Sequence, residues 1–367
     1  MRLTGVTLRD FRCYHDADAS LGAGLTVVCG PNGAGKTNLL EGLYFGCTGR
    51  SCRTANEREV VRFGAPAARI VVRGCDDVGE HELSVGFAPG QAKRMRVDGA
   101  LVERLLDNPN RPLLGVFLPD RLELVKGAPA LRRAHLDQLV AALWPARAAT
   151  RRSYVQTLAQ RNALLLGIRA GRGSRASLRP WDAQLAHSGI ALMRDREHAV
   201  GLVDASFKDL SAELGLGTSV SLSYCPRSRA GDAAQLAAEL AERVEGDLER
   251  GHTGHGPHRD ELTARRDGRD LRTYGSQGQQ RLALLALLLA ERETLARHRR
   301  SPPVMLLDDV MSELDRTRRQ ALVELLRSGA GQSVITTTDL DHVPGGCDED
   351  VVRLEVADGR IGQEVAA

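Results

Sequence analysis

Lysine is scarce in this chain: of fifty basic residues only Lys36, Lys93, Lys126 and Lys208 are lysine, and the rest are arginine. A GC-rich genome explains such an average but does not dictate clustering, and guanidinium forks are well suited to gripping phosphate. The seven cysteines include no C-x-x-C pair, which argues against a disulfide framework and for reduced thiols in a cytosolic protein. Cys47 and Cys52 read as core or near-core thiols. No apolar run is long enough to span a bilayer. The longest, 282–290, is about half the length needed. The opening M-R-L-T-G lacks the apolar core of a secretion signal. No internal repeat, long disordered tail, Ser-His-Asp or Cys-His constellation is visible. A net charge of +3 says little, whereas 367 residues at 42% hydrophobic and 26% charged suit two domains or one large α/β domain with an insertion.

What is present centres on Gly30, Pro31, Asn32, Gly33, Ala34, Gly35, Lys36 and Thr37, which match the phosphate-binding loop G-x-x-x-x-G-K-[ST] at every fixed position. A short β-branched run, 25–29, precedes it, and Asn38 opens a stretch of helical spacing. Strand, loop and helix are the context that the motif requires. Glycines let backbone amides turn toward phosphate, and the helix N-terminus adds partial positive charge. Lys36 is expected on the β- and γ-phosphates of ATP and Thr37 on Mg²⁺.

Around this loop, 3–11 reads as a first strand, with Arg12 after it, 68–98 as a β-meander and 113–118 as another strand. From 129 to 215 the spacing turns helical, with breaks expected at Pro145, 171–173 and Arg179-Pro180. This predicts a helical second domain inserted in the nucleotide domain. Strand character returns at 218–224, helix at 233–250, and strand at 261–264.

Ser276 and Gln279 form a capping box before an apolar helix, and Gly278 leaves bare amides at its positive end. A buried strand, 304–307, then ends in Asp308 and Asp309. Adjacent acids there point to metal and water chemistry: Asp308 on Mg²⁺, Asp309 orienting or deprotonating the attacking water. S-E-L-D (312–315), a helix and a strand at 333–338 follow.

This ordered set resembles the ATPase head of the ABC superfamily, and in detail the RecF family, which is related to structural-maintenance-of-chromosomes heads. The resemblance is carried by D-F-R-C-Y (10–14), G-P-N-G-A-G-K-T-N-L-L-E (30–41), T-G-R-S-C-R-T (48–54), F-L-P-D-R-L-E-L-V-K-G-A-P (117–129), G-P-H-R-D (256–260), G-S-Q-G-Q-Q-R (275–281) and L-L-D-D-V-M-S-E-L-D (306–315). It implies an α/β fold, an ABC-type P-loop ATPase domain (1–127 and 215–367) with an inserted mainly helical domain (128–214). It implies that Arg12, the loop residues 30–37 and Asn38 bind nucleotide, with Lys36 and Asp309 catalytic. Ser276, Gln277, Gly278 and Gln279 would act in trans on nucleotide bound by a partner copy, giving an ATP-dependent homodimer. The implied role is weak ATPase switching on double-stranded DNA near gapped single strands, with RecR and RecO as partners in recombinase loading. ABC transporters usually carry Asp-Glu where this chain has Asp308-Asp309, and a histidine near Thr337 or Thr338; both departures suit slow turnover.

Three further signals bear on function. His252, His255 and His258 look like a metal site, but glycines place them in a loop without another ligand at the right spacing. By resemblance His258, Arg259 and Asp260 belong near the nucleotide or the dimer seam. Between 141 and 180 stand eight arginines and no acid: Arg147, and the DNA-contact candidates Arg151, Arg152, Arg161, Arg169, Arg172, Arg175 and Arg179. A solvated helix face would give the same run, yet such faces usually mix both charges. The competing functions are a transport ATPase subunit, which would need membrane helices to couple to, and a scaffold without useful hydrolysis, which the intact Lys36, Thr37, Asp308 and Ser276 oppose.

Overall fold

The computed structural model describes residues 1–108, 111–118, 122–299, 302–329 and 331–364. The chain divides into two compact units, Met1–Arg121 with Leu295–Ala367, and Leu122–Thr294. The first unit begins with β1 (Arg2–Phe11), β2 (Tyr14–Ser20), β3 (Leu25–Cys29), α1 (Lys36–Thr48), β4 (Ala68–Cys75), β5 (Glu80–Phe87), β6 (Arg94–Val97), β7 (Ala100–Val102) and β8 (Leu114–Phe117). The second unit holds α2 (Glu123–Lys126), α3 (Pro129–Leu143), α4 (Ala148–Arg169), α5 (Leu178–Glu213), β9 (Val220–Cys225), α6 (Ala233–Glu242), α7 (Val244–Arg250), β10 (Glu261–Arg266), β11 (Arg269–Asp270) and α8 (Leu271–Tyr274). Helix α9 (Gln277–Arg299) runs past its end, and β12 (Val304–Leu307), α10 (Arg316–Ser328), β13 (Ser333–Thr337), β14 (Val352–Ala357) and β15 (Arg360–Glu364) complete the first unit.

In the first unit two six-stranded sheets share one core. One is antiparallel, ordered β2-β1-β4-β5-β6-β7; the other runs β15-β14-β3-β13-β12-β8 and is parallel except at β14/β15. The parallel strands are short, and β3, β8 and β12 are almost wholly apolar, as strands covered on both faces are. Leu39, Leu40, Leu43 and Phe45 of α1 join Leu8 and Ile70 of the first sheet and Val28, Leu306 and Val334 of the second in that core. Asp315 accepts a hydrogen bond from the Arg318 amide at 2.9 Å and so caps α10, which gives the acid of S-E-L-D a structural task.

The second unit is mainly helical, with the three-stranded sheet β11-β10-β9. It extends past 214, where the sequence placed a domain boundary. Asp204 of α5 accepts from the Leu222 amide of β9 at 2.7 Å, and Tyr154 of α4 meets His258 at 2.7 Å, so the later strands and the histidine loop pack with the helices. The expected break at Arg179-Pro180 is absent: Pro180 falls in the first turn of α5, where the missing N–H has no intrahelical acceptor to lose. Among the described residues no helix is long and apolar enough to cross a membrane.

At the centre of this unit lies Arg161, fully buried, donating to Asp182 at 2.6 Å, to Asp247 at 2.7 Å and to the Thr253 hydroxyl at 2.7 Å. Removing the cation leaves two carboxylates in a low dielectric. Arg161→Leu is therefore expected to lower the unfolding free energy by about 3–5 kcal/mol. Exposed Arg152→Ala should change it by less than about 0.5 kcal/mol. Urea denaturation of the two variants checks this, and equal midpoints would remove the triad from the core.

Candidate nucleotide site

Strand β3 lies between β13 and β14, parallel to both, so the loop that follows it opens on the edge where β12 and β13 also end. Gly30 is required by close approach: a Cβ there would lie 2.1 Å from the Val356 carbonyl oxygen. Gly33 has φ 80 with nothing within 4 Å of a Cβ position, a left-handed backbone facing open space. The buried Tyr14 hydroxyl donates to the Gly35 carbonyl at 2.9 Å and fixes the loop's base. Helix α1 starts at Lys36 with no side-chain cap and no acid in its first turn, so its positive end is left for an anion. Pro31, Asn32 and Gly33 are exposed, Ala34, Gly35 and Lys36 buried. The Lys36 ammonium donates to the Gly30 and Pro31 carbonyls at 2.7 and 2.9 Å.

Opposite stands Asp308, 6% exposed. The Thr37 hydroxyl lies 2.9 Å from both of its carboxylate oxygens, and the Thr336 hydroxyl donates to Oδ1 at 2.8 Å. Burial, reinforced by the Asp309 charge, holds the Asp308 carboxyl above the usual range against the hydrogen bonds from Thr336 and Thr37. Asp309 has φ 44; its amide donates to Thr336 at 2.9 Å and its Oδ2 accepts from Ser312 at 3.0 Å. Its Oδ1 is buried with no hydrogen-bond partner among the described residues. A hydroxyl and a carboxylate converging in this way are hard oxygen donors of the kind Mg²⁺ takes, and the unsatisfied Oδ1 suits a water.

Arg12 and Asn38 belong to one hydrogen-bonded network with Glu41 and Arg53. Arg12 sits at φ 53 in the β1/β2 turn and makes two bonds, 2.8 and 2.7 Å, to fully buried Glu41 of α1. Arg53 donates to Asn38 at 2.9 Å and to Glu41 at 3.3 Å. Arg53 also acts electrostatically on Asp308. Sequence reading missed Glu41, Arg53 and Thr336 as parts of the site. The signals were present in E41 at the end of the loop motif, the second arginine of T-G-R-S-C-R-T, and the first threonine of T-T-T.

In the second unit the capping box forms as expected: the Ser276 amide donates to Gln279 Oε1 at 2.9 Å and the Gln279 amide to Ser276 Oγ at 3.3 Å. Ser276, Gln277 and Gly278 are exposed, and a Cβ on Gly278 would meet nothing. Residues Leu282 to Ala290 of α9 are all buried, which explains an apolar circumference. Pro119, Asp120 and Arg121 of the L-P-D-R stretch lie outside the described residues.

The arginine run is corrected. Arg161 is no DNA contact, because it is buried in the ion triad above. Arg151 pairs with Asp137 at 2.8 Å, Arg147 with Asp195 at 2.8 Å, and Arg175 with Glu245. Among the described residues the Arg169 side chain donates to the Glu249 carbonyl at 3.3 Å and has no acidic partner. Arg152, Arg172 and Arg179 are exposed and have no acidic partner among the described residues. The histidine loop forms no metal cluster among the described residues. His255 bonds Glu239, and His258 lies between Tyr154 and the Thr253 carbonyl.

The fold and the site define a P-loop ATPase head of the kind found in structural-maintenance-of-chromosomes proteins. Residues 6–87 match the AAA domain family. Over 98% of its length the chain is 35% identical to DNA replication and repair protein RecF of Herpetosiphon aurantiacus, covering 99% of that protein. It is 37% identical to the RecF of Moorella thermoacetica, over 98% of this chain and 96% of that protein. The chain belongs to the RecF family. A solved structure of the recombination mediator protein RecF with ATP, of the RecFOR pathway, superposes with a TM-score of 0.85 at 27% identity, covering 99% of this chain and 97% of that one. A Pyrococcus furiosus Smc head bound to the C-terminal domain of ScpA shares the fold, with a TM-score of 0.60 at 16% identity over 99% of this chain and 96% of that one.

The raised Asp308 carboxyl has a thermodynamic consequence. Between the ordinary carboxylate value and the raised one, the folded state holds a proton that the unfolded state has released, so stability falls as pH rises through that window. Asp308→Asn removes the titration. Without nucleotide, the melting temperature of the natural protein relative to Asp308→Asn should fall as pH rises from about 4 to about 7. A relative rise over that range would show that burial does not penalise this carboxylate.

Proposed function

We propose that this chain is an ATP-gated DNA-binding protein of recombinational repair, a recombination mediator whose slow ATP hydrolysis times a dimer on double-stranded DNA beside single-stranded gaps. The observation that carries this reading is the meeting of Thr37, Asp308 and the unsatisfied Asp309 at the edge where β3, β12 and β13 end behind the phosphate loop. Lys36 exchanges its two carbonyl partners for the β- and γ-phosphates. Thr37 and Asp308 hold Mg²⁺, which when bound neutralises charge developing on the phosphate oxygens. Asp309 Oδ1 accepts a hydrogen bond from the attacking water and orients it in line. With an aspartate at this position and Thr337 and Thr338 in place of a switch histidine, turnover is slow.

The exposed Ser276 and Gly278 at the positive end of α9 supply the donors for the γ-phosphate bound by a second copy, so ATP bridges two chains. RecR and RecO are the partner proteins in this reading, after the RecFOR pathway of the ATP-bound relative. Arg152, Arg172 and Arg179, with Arg169, are the DNA contacts. They suit phosphate-backbone contact, which positions a protein without reading bases.

Gel filtration with ATP and duplex DNA tests the switch. The natural chain should dimerise only with ATP, Lys36→Ala should neither bind ATP nor dimerise, and Asp309→Asn should bind ATP and persist as a dimer. Ser276→Arg should bind ATP and stay monomeric; a Ser276→Arg dimer would sink the trans arrangement. In a separate salt titration of duplex binding, replacing Arg152, Arg172 and Arg179 with Ala should flatten the log–log slope by about 0.9 for each phosphate no longer neutralised. An unchanged slope would move the DNA surface elsewhere.

A further inference from the structure

The second unit carries a basin of about 590 Å³ lined by Arg227, Arg243, Arg250, Arg259, His252 and His255. Such a volume is that of a small-ligand site, and four of its lining residues are arginines. Arg227 and Arg259 are exposed and have no carboxylate partner among the described residues. The nearby acids are engaged: Glu239 by Ser228 and His255, Asp247 by Arg161, Arg250 and the Gly254 amide. Glu242 reaches Arg243 only at 3.8 Å and is exposed.

The wall is built from behind. Asp260, 1% exposed, accepts from the Arg227 amide at 2.7 Å, from the Tyr224 hydroxyl and from Arg196 at 3.3 Å. One carboxylate thus sets the backbone position of Arg227 and of its own neighbour Arg259. His258, lowered to about 4 by burial, is neutral near pH 7; it donates from Nε2 to the Thr253 carbonyl at 2.9 Å and accepts at Nδ1 from Tyr154 at 2.7 Å. The Thr253 amide donates to Asn162 at 2.8 Å. The histidine and aspartate of G-P-H-R-D therefore face inward, and the arginine between them is the residue presented to the basin.

Arg250 is paired with Asp247 and Arg243 lies 3.8 Å from Glu242. Arg227 and Arg259 are therefore the basin's arginines without a carboxylate among the described residues, and holding them together in one concavity is electrostatically costly without a counter-anion. A phosphodiester brings one charge and a strand that must leave on both sides. A phosphomonoester or pyrophosphate brings more charge per phosphate and a free end that a concave site can enclose, with forks for its oxygens. We propose that this basin is a second anion site, separate from the phosphate loop, which takes a terminal phosphomonoester or pyrophosphate-type group, either of a free oligophosphate or of a phosphorylated DNA end.

The test uses the full chain carrying Lys36→Ala, so that the phosphate loop does not report. Calorimetry with inorganic pyrophosphate should show one site, and adding Arg227→Gln and Arg259→Gln should weaken it by about tenfold or more, as for loss of two charge-assisted contacts. Both arginines are exposed, so melting curves of the variants should match their parent. Failure of the Lys36→Ala chain to bind pyrophosphate, or binding unmoved by the two substitutions, overturns the proposal. Competition then separates the sources. Displacement by a duplex bearing a 5′-phosphate but not by its 5′-hydroxyl twin assigns a DNA end; displacement by neither assigns a free oligophosphate. Equal displacement by both means that duplex backbone fills the basin and overturns the terminal-phosphate assignment.

Discussion

A buried carboxylate that is hydrogen-bonded by hydroxyls, with Arg53 acting on it only electrostatically, is the constraint on which the first unit depends. At Asp308 it is Thr37 and Thr336 that supply the bonds. Hydroxyls lower the cost of burial without cancelling the charge, so the site keeps its affinity for a cation. Only a sheet in which β13 separates β3 from β12 can bring these groups together. Thr37 enters from the helix after β3, Thr336 sits on β13, and Asp308 follows β12. The strand order and the chemistry of the site are one requirement seen at two scales.

A second layer holds the first in place. Glu41 is wholly buried on α1, and Arg12, Arg53 and Ser51 all bond it, so the helix carrying Lys36 and Thr37 is pinned to the β1/β2 turn and to the segment that follows α1. Among the non-glycine residues with left-handed backbone are Arg12 at φ 53 and Asp309 at φ 44. Each costs on the order of 1–3 kcal/mol. In Arg12 the strain aims a bidentate pair; in Asp309 it turns a carboxylate oxygen into a buried position with no hydrogen-bond partner among the described residues. At Asp309 the strain lies beside Asp308 and Thr336, where a site held ready for substrate can use it.

Much of this was legible in the sequence because the signals are local. A phosphate loop needs glycine where the backbone must pass a neighbouring strand, as Gly30 passes Val356, and a capping box declares its helix within four residues, as Ser276 and Gln279 do. The apolar run of β12 ending in two acids is equally self-contained. What escaped notice depends on long separations in sequence. Thr336 acquires its role only because β13 lies next to β12, and Glu41 only because the β1/β2 turn delivers Arg12 to it. The boundary near 214 was drawn where periodicity changes, but domain membership follows packing. The bond from the Leu222 amide to Asp204 is invisible to periodicity.

The arginine run shows the same limit in electrostatics. Forty residues without an acid look like a one-signed surface, yet the acids that balance Arg147, Arg151, Arg161 and Arg175 come from 137, 182, 195, 245 and 247. Helices bring together residues far apart in the chain, so sign imbalance along the sequence need not be sign imbalance in space. The converse also holds. Arg227, Arg243, Arg250 and Arg259 stand among Glu239, Glu242, Glu245, Asp247, Glu249 and Asp260, and by sequence that segment reads as an ordinary mixture of charges. Folding pairs Asp247 with Arg161 and Arg250 and Asp260 with Arg196, and leaves Arg227 and Arg259 without a carboxylate among the described residues at one concavity. A phosphate-binding surface in this fold is therefore found by asking which arginines lack a carboxylate after packing, not which stretch of chain lacks one before it.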